Sequence, residues 1–335
     1  MGRSEFVLAV RGYLVNPAER RLRAPWRISL WLVLAMFGGG VLTLLFGAVP
    51  TPADPTGLAA TVYALAELGW LYAALGVAGI GIGYLLDRRT LSDYGLGLDS
   101  QWWRDAGFGV ALGFGLPSAV LVAQVAVGWT TITGVLPAPA DGMFGLGSTG
   151  AVVGLALLVP FFVVQASVEE LLVRGYLLTN LAEGAAGAIG NAASTVAATM
   201  LTGALFGVLH WTNPSATALS VANITLYGVL LGACYVLTGR LGIACGFHVA
   251  WNYTLSLWDF PVSGLETGVA LLGTRSTGPE LVTGGSFGPE GGLVALPLLA
   301  LGVGALYWWV RREYGRVEIL DSIAVPELRT ETRGD

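Results

Sequence analysis

The chain has 335 residues, of which 54% are hydrophobic and only 12% are charged. This low share of charge excludes an ordinary soluble protein, because too few charged side chains are left to cover its surface. The formal net charge of −5 decides little, and we expect no nucleic-acid partner. Repeated apolar runs of about 20 residues predict an all-α fold, a polytopic helical bundle of about eight transmembrane helices in the lipid bilayer.

In chain order, residues 1–27 combine a short apolar patch with a basic stretch and lack a signal-peptide cleavage site. We expect a cytoplasmic N-terminal segment that forms a helix on the membrane surface. Eight apolar runs follow as predicted spans: 28–49, 58–86, 106–133, 151–182, 191–211, 217–238, 243–260 and 292–310. They predict three spans within residues 28–149, a second block at 150–260, an irregular external loop at 261–291 and a last helix at 292–311. The polar tail at 312–335 is expected to be disordered after Arg316.

The arginines predict the orientation. With the N-terminus inside and an even number of spans, Arg275 is the one arginine in an external segment. The arginines of the cytoplasmic segments are then Arg3, Arg11, Arg20, Arg21, Arg23, Arg27, Arg88, Arg89, Arg104, Arg240, Arg311, Arg312, Arg316, Arg329 and Arg333. By the positive-inside rule, this asymmetry predicts an integral protein of the cytoplasmic (plasma) membrane with both termini in the cytoplasm.

Small residues predict where helices pack closely. Gly79 and Gly83 are four residues apart in the second span, and Gly109 and Gly113 have the same spacing in the third. Such pairs allow two helix backbones to approach one another in lipid.

Three ionisable residues interrupt the fourth span, in the stretch "SVEELLVRGY". A charge near the bilayer centre costs at least ~2.5 kcal/mol, so such groups are candidates for function. Glu170 and Arg174 are four residues apart and can pair on one helix face, whereas Glu169 points about 100° away. The alternative is a structural ion cluster that joins helices.

The two histidines of the chain, His210 and His248, both lie in predicted spans. Phe206 precedes His210 by four residues, so its ring can pack beside that imidazole. Asn252 follows His248 by four, so these two side chains share a helix face.

This set of residues suits the hydrolysis of an amide. A carboxylate and an imidazole can hold a water and take its proton, and a second imidazole with an amide can donate to an oxyanion. Alternatively, Glu169, His210 and His248 could bind a metal, zinc being the candidate, with a fourth position for water. The residues alone do not decide between direct activation of water and a metal-bound water.

At these residues the sequence resembles the CPBP family of intramembrane proteases, which includes CaaX endopeptidases and Abi-type proteins. The family pattern reads EExxxR, FxxxH and HxxxN/D. Its counterparts here are "EELLVR" from Glu169, "FGVLH" from Phe206 and "HVAWN" from His248. The resemblance covers roughly residues 150–260 and implies a CPBP-type catalytic core acting on a membrane-associated protein or peptide.

The resemblance implies catalytic roles for five residues. Glu169 would activate water with the help of His210. His248 and Asn252 would stabilise the oxyanion, and Glu170 would support the site. Arg174 and Phe206 would be supporting residues, and the family's name as metalloproteases keeps the metal alternative open.

Two other functions compete with proteolysis. A non-catalytic scaffold or bacteriocin-immunity protein would keep the fold without the reaction. A transporter would use the buried Glu, His and Arg as an ion relay, although no inverted repeat is visible. Further polar residues of the spans, which could line a cavity or join helices, are Glu67, Gln124, Gln165 and Asn223.

The depths of the motifs raise a geometric problem. If the fourth helix continues to about Glu183, Glu169 lies roughly 21 Å above the inner turn, with His210 higher and His248 lower. We therefore expect a tilted, funnel-shaped site or kinked spans, with Pro160 as the candidate kink.

Overall fold

The structure, a computed structural model, describes residues 12–17, 19–53, 58–140, 142 and 150–329. Most of these residues are helical, which confirms the predicted all-α bundle. In chain order the helices are α1 Ala24–Phe46, α2 Leu58–Asp87, α3 Ser100–Ala126, α4 Ala151–Glu170, the π-helix Leu171–Leu178, α5 Thr179–Ile189, α6 Asn191–Leu209, α7 Ala218–Thr238, α8 Gly242–Leu257, α9 Glu280–Thr283 and α10 Ala295–Tyr314. Short 3-10 turns lie between several of them.

Six helical stretches within the described residues are long and apolar enough to cross a membrane: Ala24–Phe46, Leu58–Asp87, Ser100–Ala126, Ala151–Ile189, Asn191–Thr212 and Ala218–Thr238. They correspond to the first six of the eight predicted spans. The last two predicted spans are also helical, but α8 has only 16 residues and α10 ends in a polar turn that contains Arg311 and Arg312. The chain is thus an integral membrane protein.

Several predicted boundaries change. The third span ends at Ala126 rather than at 133, and Thr130–Val135 forms strand β3 instead, since consecutive β-branched residues favour a strand. Strand β3 pairs antiparallel with β4, Leu272–Ser276, so the predicted irregular loop contains a strand as well as the short helix α9.

The two ends of the chain also depart from expectation. Much of the predicted surface helix lies outside the described residues. Val15–Asn16 and Arg21–Leu22 form a small antiparallel ribbon, β1 and β2, and α1 already begins at Ala24. In the tail, Ile323 and Ala324 are buried against the bundle, so the chain is ordered well beyond α10.

The connections between helices lie at two opposite faces. At one, which we call the arginine face, the Arg21 side chain donates to the Asp87 carbonyl, and the backbone N–H of Arg329 donates to the Arg88 carbonyl. At the other, the loop face, β3 pairs with β4, and Asn213 donates to the Ser263 carbonyl. The described parts of both ends of the chain therefore lie at the same face, as an even number of crossings requires.

A buried ion cluster joins several elements of the chain at the arginine face. Its members come from β2, the ends of α1 and α2, and α5. The ion pairs are Arg27–Asp87 at 3.0 Å, Arg27–Glu183 at 2.7 Å, Arg21–Glu183 at 2.8 Å and Arg89–Glu183 at 2.8 Å. Since α5 continues directly from the π-helix, this cluster anchors the chain that carries the two predicted glutamates.

Close glycine contacts place the helices around the site. A side chain at Gly109 or Gly113 would collide with backbone atoms of Ile243 and Phe247, so α3 and α8 pack backbone to backbone. Likewise Gly79 of α2 receives the side chain of Leu172 from the π-helix. The predicted close packing is confirmed at both glycine pairs, since Gly83 contacts Tyr176 in the same way.

Candidate active site

Glu170 lies at the centre of a buried polar group where α4 passes into the π-helix. Its side chain is fully buried, and its Oε1 accepts a hydrogen bond from Nη1 of Arg174 at 3.0 Å. The same oxygen lies 2.8 Å from Nδ1 of His248, on α8. The predicted Glu170–Arg174 pair is therefore present, and it also binds the second histidine motif.

Arg174 and Phe206 form the back of this group. The second guanidinium nitrogen, Nη2, donates to the Gly228 carbonyl of α7 at 3.1 Å, and the guanidinium carbon lies 4.4 Å from the centre of the Phe206 ring. The Phe206 ring centre is 4.8 Å from that of His210 and 5.7 Å from that of His248. The predicted packing of Phe206 beside His210 is confirmed, and the same ring also packs against His248.

Glu169 points to a different set of partners, as its helix position predicts. Its Oε1 accepts from Nε2 of Gln165 at 2.5 Å, and the Tyr72 hydroxyl of α2 approaches the carboxylate. Its Oε2 has no hydrogen-bond partner among the described residues and lies 3.9 Å from Nε2 of His248. With a side chain 23% exposed, Glu169 is the accessible member of the glutamate pair.

Both histidines have the proton of the neutral ring fixed by an acceptor. Nδ1 of His210 lies 2.7 Å from the Phe206 carbonyl, and Nδ1 of His248 faces the Glu170 carboxylate. A carbonyl or carboxylate oxygen only accepts, so Nδ1 carries the proton in each ring. In the neutral form, Nε2 of each ring is then free to accept a hydrogen bond from a molecule in the site.

Gln165 connects the third motif to the first. Its Oε1 accepts from Nδ2 of Asn252 at 3.2 Å, while its Nε2 donates to Glu169. The side chain thus bridges α8 and the accessible glutamate. The sequence analysis places Gln165 among the polar residues that could line a cavity, and Gln165 does line this one. The signal for its contact with Glu169 was available in the sequence, because Gln165 precedes Glu169 by four residues and so shares its helix face.

These groups line one cavity of about 310 Å³. Helices α2, α4, α6, α7 and α8 and the chain after α8 contribute to its wall. Its polar lining includes Tyr72, Gln165, Glu169, His210, Asn213, His248, Asn252, Ser263, Thr267 and Glu290, and its apolar lining includes Leu68, Phe161, Phe162, Leu209, Ile224 and Phe247. Three helices that carry the predicted motifs therefore present them to one space.

The segment that supplies these motifs matches a known family. Residues 151–254 match the family model described as "Type II CAAX prenyl endopeptidase Rce1-like". This segment is therefore similar to the Rce1-like family. The match is consistent with the resemblance of this segment to CPBP proteases. No curated protein and no solved structure matches the chain.

A metal site is not assembled in the Rce1-like segment as it is folded here. Among the residues that the structure describes, no three His, Cys, Asp or Glu side chains are grouped closely enough to hold a metal ion. Glu169 and His248 lie 3.9 Å apart, and His210 is not grouped with them closely enough to complete a set of three ligands. The three residues predicted as zinc ligands thus do not fit a metal ion in this arrangement.

The structure also resolves the expected mismatch in depth. His210 directly follows α6, and His248 lies in the second turn of the short helix α8, so both reach the Phe206 ring. Pro160 lies within α4, which remains helical there. The irregularity lies further along the chain, in the π-helix Leu171–Leu178, a type of helix often found at functional sites.

The other polar residues of the spans have separate places. Glu67 is exposed on the outside of α2 and does not line the cavity. The Asn223 side chain donates to the Glu290 and Gly292 carbonyls, and Gln124 accepts from the Thr130 hydroxyl. The sequence interpretation missed Glu290, which lines the cavity and which no spacing rule connects to the three motifs.

Proposed function

We propose that the chain is an intramembrane endopeptidase that hydrolyses a peptide bond of a membrane-associated protein or peptide with a water activated by Glu169. One observation carries this proposal: Oε2 of Glu169 and Nε2 of His248 lie 3.9 Å apart, and both residues line the cavity. A water between two such atoms can make an ordinary hydrogen bond of about 2.8 Å to each.

The first step is removal of a proton from this water. Oε2 of Glu169 has no competing partner, whereas Oε1 is held by Gln165, so the carboxylate is oriented with one oxygen free to accept. His210 lines the same cavity, and its Nε2, free of the Phe206 carbonyl, helps to hold the water. As Glu169 takes the proton, the hydroxide adds to the carbonyl carbon of the scissile peptide bond.

The second step is stabilisation of the resulting oxyanion. Asn252 uses one N–H for Gln165 and has a second to donate. His248 can join as a donor when its ring carries two protons, with Nδ1–H directed to Glu170 and Nε2–H to the oxyanion. Glu170 offsets the charge of that imidazolium. Glu169 then returns its proton to the leaving nitrogen, the C–N bond breaks, and the products are a carboxylic acid and an amine.

Glu170, Arg174 and Phe206 support the reaction through position. Glu170 holds the His248 ring, and Arg174 neutralises Glu170 from the side opposite the cavity. The Phe206 ring packs against both imidazoles. No step in this route passes through a metal.

For the location, we propose that the arginine face is cytoplasmic and that the protein lies in the plasma membrane. The arginines at this face include Arg21, Arg27 and Arg89, and the loop face carries Arg275. A cytoplasmic arginine face would place both termini inside the cell.

The proposal is tested with purified protein in liposomes that contain membrane-anchored peptides. Hydrolysis in ¹⁸O-labelled water should give a new carboxyl terminus carrying the label, read by mass spectrometry. Metal analysis of the same preparation, repeated with His210→Ala and His248→Ala, separates direct water activation from a metal-bound water. A metal bound in stoichiometric amount by the wild type and lost in both variants would contradict the route proposed here.

A further inference from the structure

Glu290 brings a second carboxylate into the candidate active-site cavity from outside the Rce1-like segment. It lies in the 3-10 turn Pro289–Gly291, which precedes α10, and its side chain lines the cavity. Only 6% of the residue is exposed. The chain after α8 thus places an acidic group in the cavity through an irregular loop.

The carboxylate is held firmly, and each of its bound donors is neutral. Its Oε1 accepts from the indole Nε1 of Trp251 at 2.9 Å. Its Oε2 accepts from the backbone N–H of Ser263 at 2.6 Å and from the Ser263 hydroxyl at 3.0 Å. The backbone carbonyl of Glu290 accepts from Asn223 at 2.9 Å, which fixes the turn to α7. These bonds orient the group without neutralising it.

Three other carboxylates in the interior of the protein have cationic partners. Glu170 pairs with Arg174, and Asp87 and Glu183 both pair with Arg27. Asp105 is held by neutral donors as Glu290 is, but it does not line this cavity.

The formal charges of the cavity lining are therefore all negative when its histidines are neutral. The described residues that line it include two carboxylates, Glu169 and Glu290, and neither arginine nor lysine. The imidazoles of His210 and His248 are its remaining titratable groups besides tyrosine. Arg174 lies behind Glu170 and is fully buried. In surroundings of low dielectric constant, such a lining attracts a positive charge strongly.

We propose that Glu290 determines specificity by binding the cationic side chain of a lysine or arginine residue of the substrate, close to the scissile bond. This inference rests on the proposed endopeptidase function and names a feature of its substrate. Trp251, which binds Glu290, and Asn252 both line the cavity, so the cationic side chain would share this space with the oxyanion donors. The apolar wall around Phe161 and Leu68 would take the flanking apolar residues.

The test compares three membrane-anchored peptides that differ at one position near the cleaved bond: lysine, neutral norleucine of similar length, or glutamate. Binding to the Glu169→Gln protein in detergent micelles is measured by fluorescence anisotropy, and cleavage by the wild type is measured by mass spectrometry. Lysine should be favoured over norleucine by about tenfold or more in both affinity and kcat/KM, with glutamate the poorest. Equal values for lysine and norleucine would overturn the inference.

Two variants assign the preference to one residue. Glu290→Gln should reduce the lysine-to-norleucine ratio to about one, whereas Glu266→Gln, an exposed carboxylate of the same loop, should leave it unchanged. A ratio that persists in Glu290→Gln would also overturn the inference. Should Glu290→Gln fail to fold, the wild-type peptide series still decides. Charge-selective binding without cleavage by the wild type would instead refute the proposed function and leave the role of Glu290 standing.

Discussion

Nδ1 of His248 lies 2.8 Å from Oε1 of Glu170, and this contact joins the first and third sequence motifs in the interior of the bundle. Because the same oxygen accepts from Arg174, a single carboxylate oxygen orients a cation and an imidazole. The second ring nitrogen, Nε2, lies 3.9 Å from Glu169, and His248 lines the cavity. The two adjacent glutamates thus have separate tasks, one within the protein and one toward a ligand.

Glu170→Gln should lower both stability and activity. The substitution leaves the fully buried Arg174 without its counter-charge, and removal of one partner of a buried pair typically costs about 3–5 kcal/mol. A drop in the midpoint of thermal unfolding in detergent is therefore expected. Glu169→Gln, at the more exposed position, should leave the midpoint nearly unchanged. Equal losses of stability in the two variants would favour a purely structural ion cluster.

Gln165→Met should reduce turnover by up to about 10²-fold with little loss of stability, because it frees Glu169 and Asn252 from their shared bridge while keeping the volume. Steady-state kinetics of the peptide cleavage would measure this. Gln124→Met, at a buried glutamine of α3 outside the cavity, is the matched control. The double variant Gln165→Met/Asn252→Ala should lose less turnover than the product of the two single fold-losses. This is expected because both residues belong to one hydrogen-bond chain. Fold-losses in turnover that simply multiply in the double variant would contradict the role of Gln165 as a bridge between Glu169 and Asn252.

Asn252→Ala should lower turnover by about 10²–10³-fold with little change in substrate binding, as is typical for loss of an oxyanion donor. Asn252→Asp is the sharper test. A carboxylate here would face the Gln165 carbonyl and repel an oxyanion, so this variant should be as inactive as Asn252→Ala at an unchanged unfolding midpoint. Near-normal turnover of Asn252→Asp would show that the residue orients His248 or contacts a metal instead.

Reporter fusions at Ala53, Gly134 and Gly284 should all read external. The pairing of β3 with β4 already requires Gly134 and Gly284 to be on one side of the membrane, and Ala53 joins them if α1 and α2 both cross. A cytoplasmic reading at Gly284 alone would refute the eight-span arrangement.

The sequence predicted those features that depend on local spacing. The four-residue separations of Glu170 from Arg174 and of Phe206 from His210 both became contacts, because residues so spaced meet on any helix. The glycine pairs likewise became close helix contacts.

Features that depend on tertiary packing were not predictable in this way. A π-helix leaves no periodic signature in an apolar run, and here it is held by Gly79 and Gly83 on one side and by the buried ion cluster beyond its end. Glu290 reaches the cavity through a glycine-rich loop. Such a loop has no helical or strand periodicity from which the position of a side chain could be predicted. The C-terminal tail was expected to be disordered because it is polar, yet Ile323 and Ala324 are buried against the bundle.

The most direct test of the central claim compares the initial rates of peptide cleavage by wild type, Glu169→Gln and Glu67→Gln in the same liposomes. Glu67 is the matched control, an exposed glutamate of a membrane helix that does not line the cavity. If Glu169 activates the attacking water, Glu169→Gln should show no cleavage above the uncatalysed rate, while Glu67→Gln should match the wild type. Cleavage by folded Glu169→Gln at a rate close to that of the wild type would contradict the proposed mechanism.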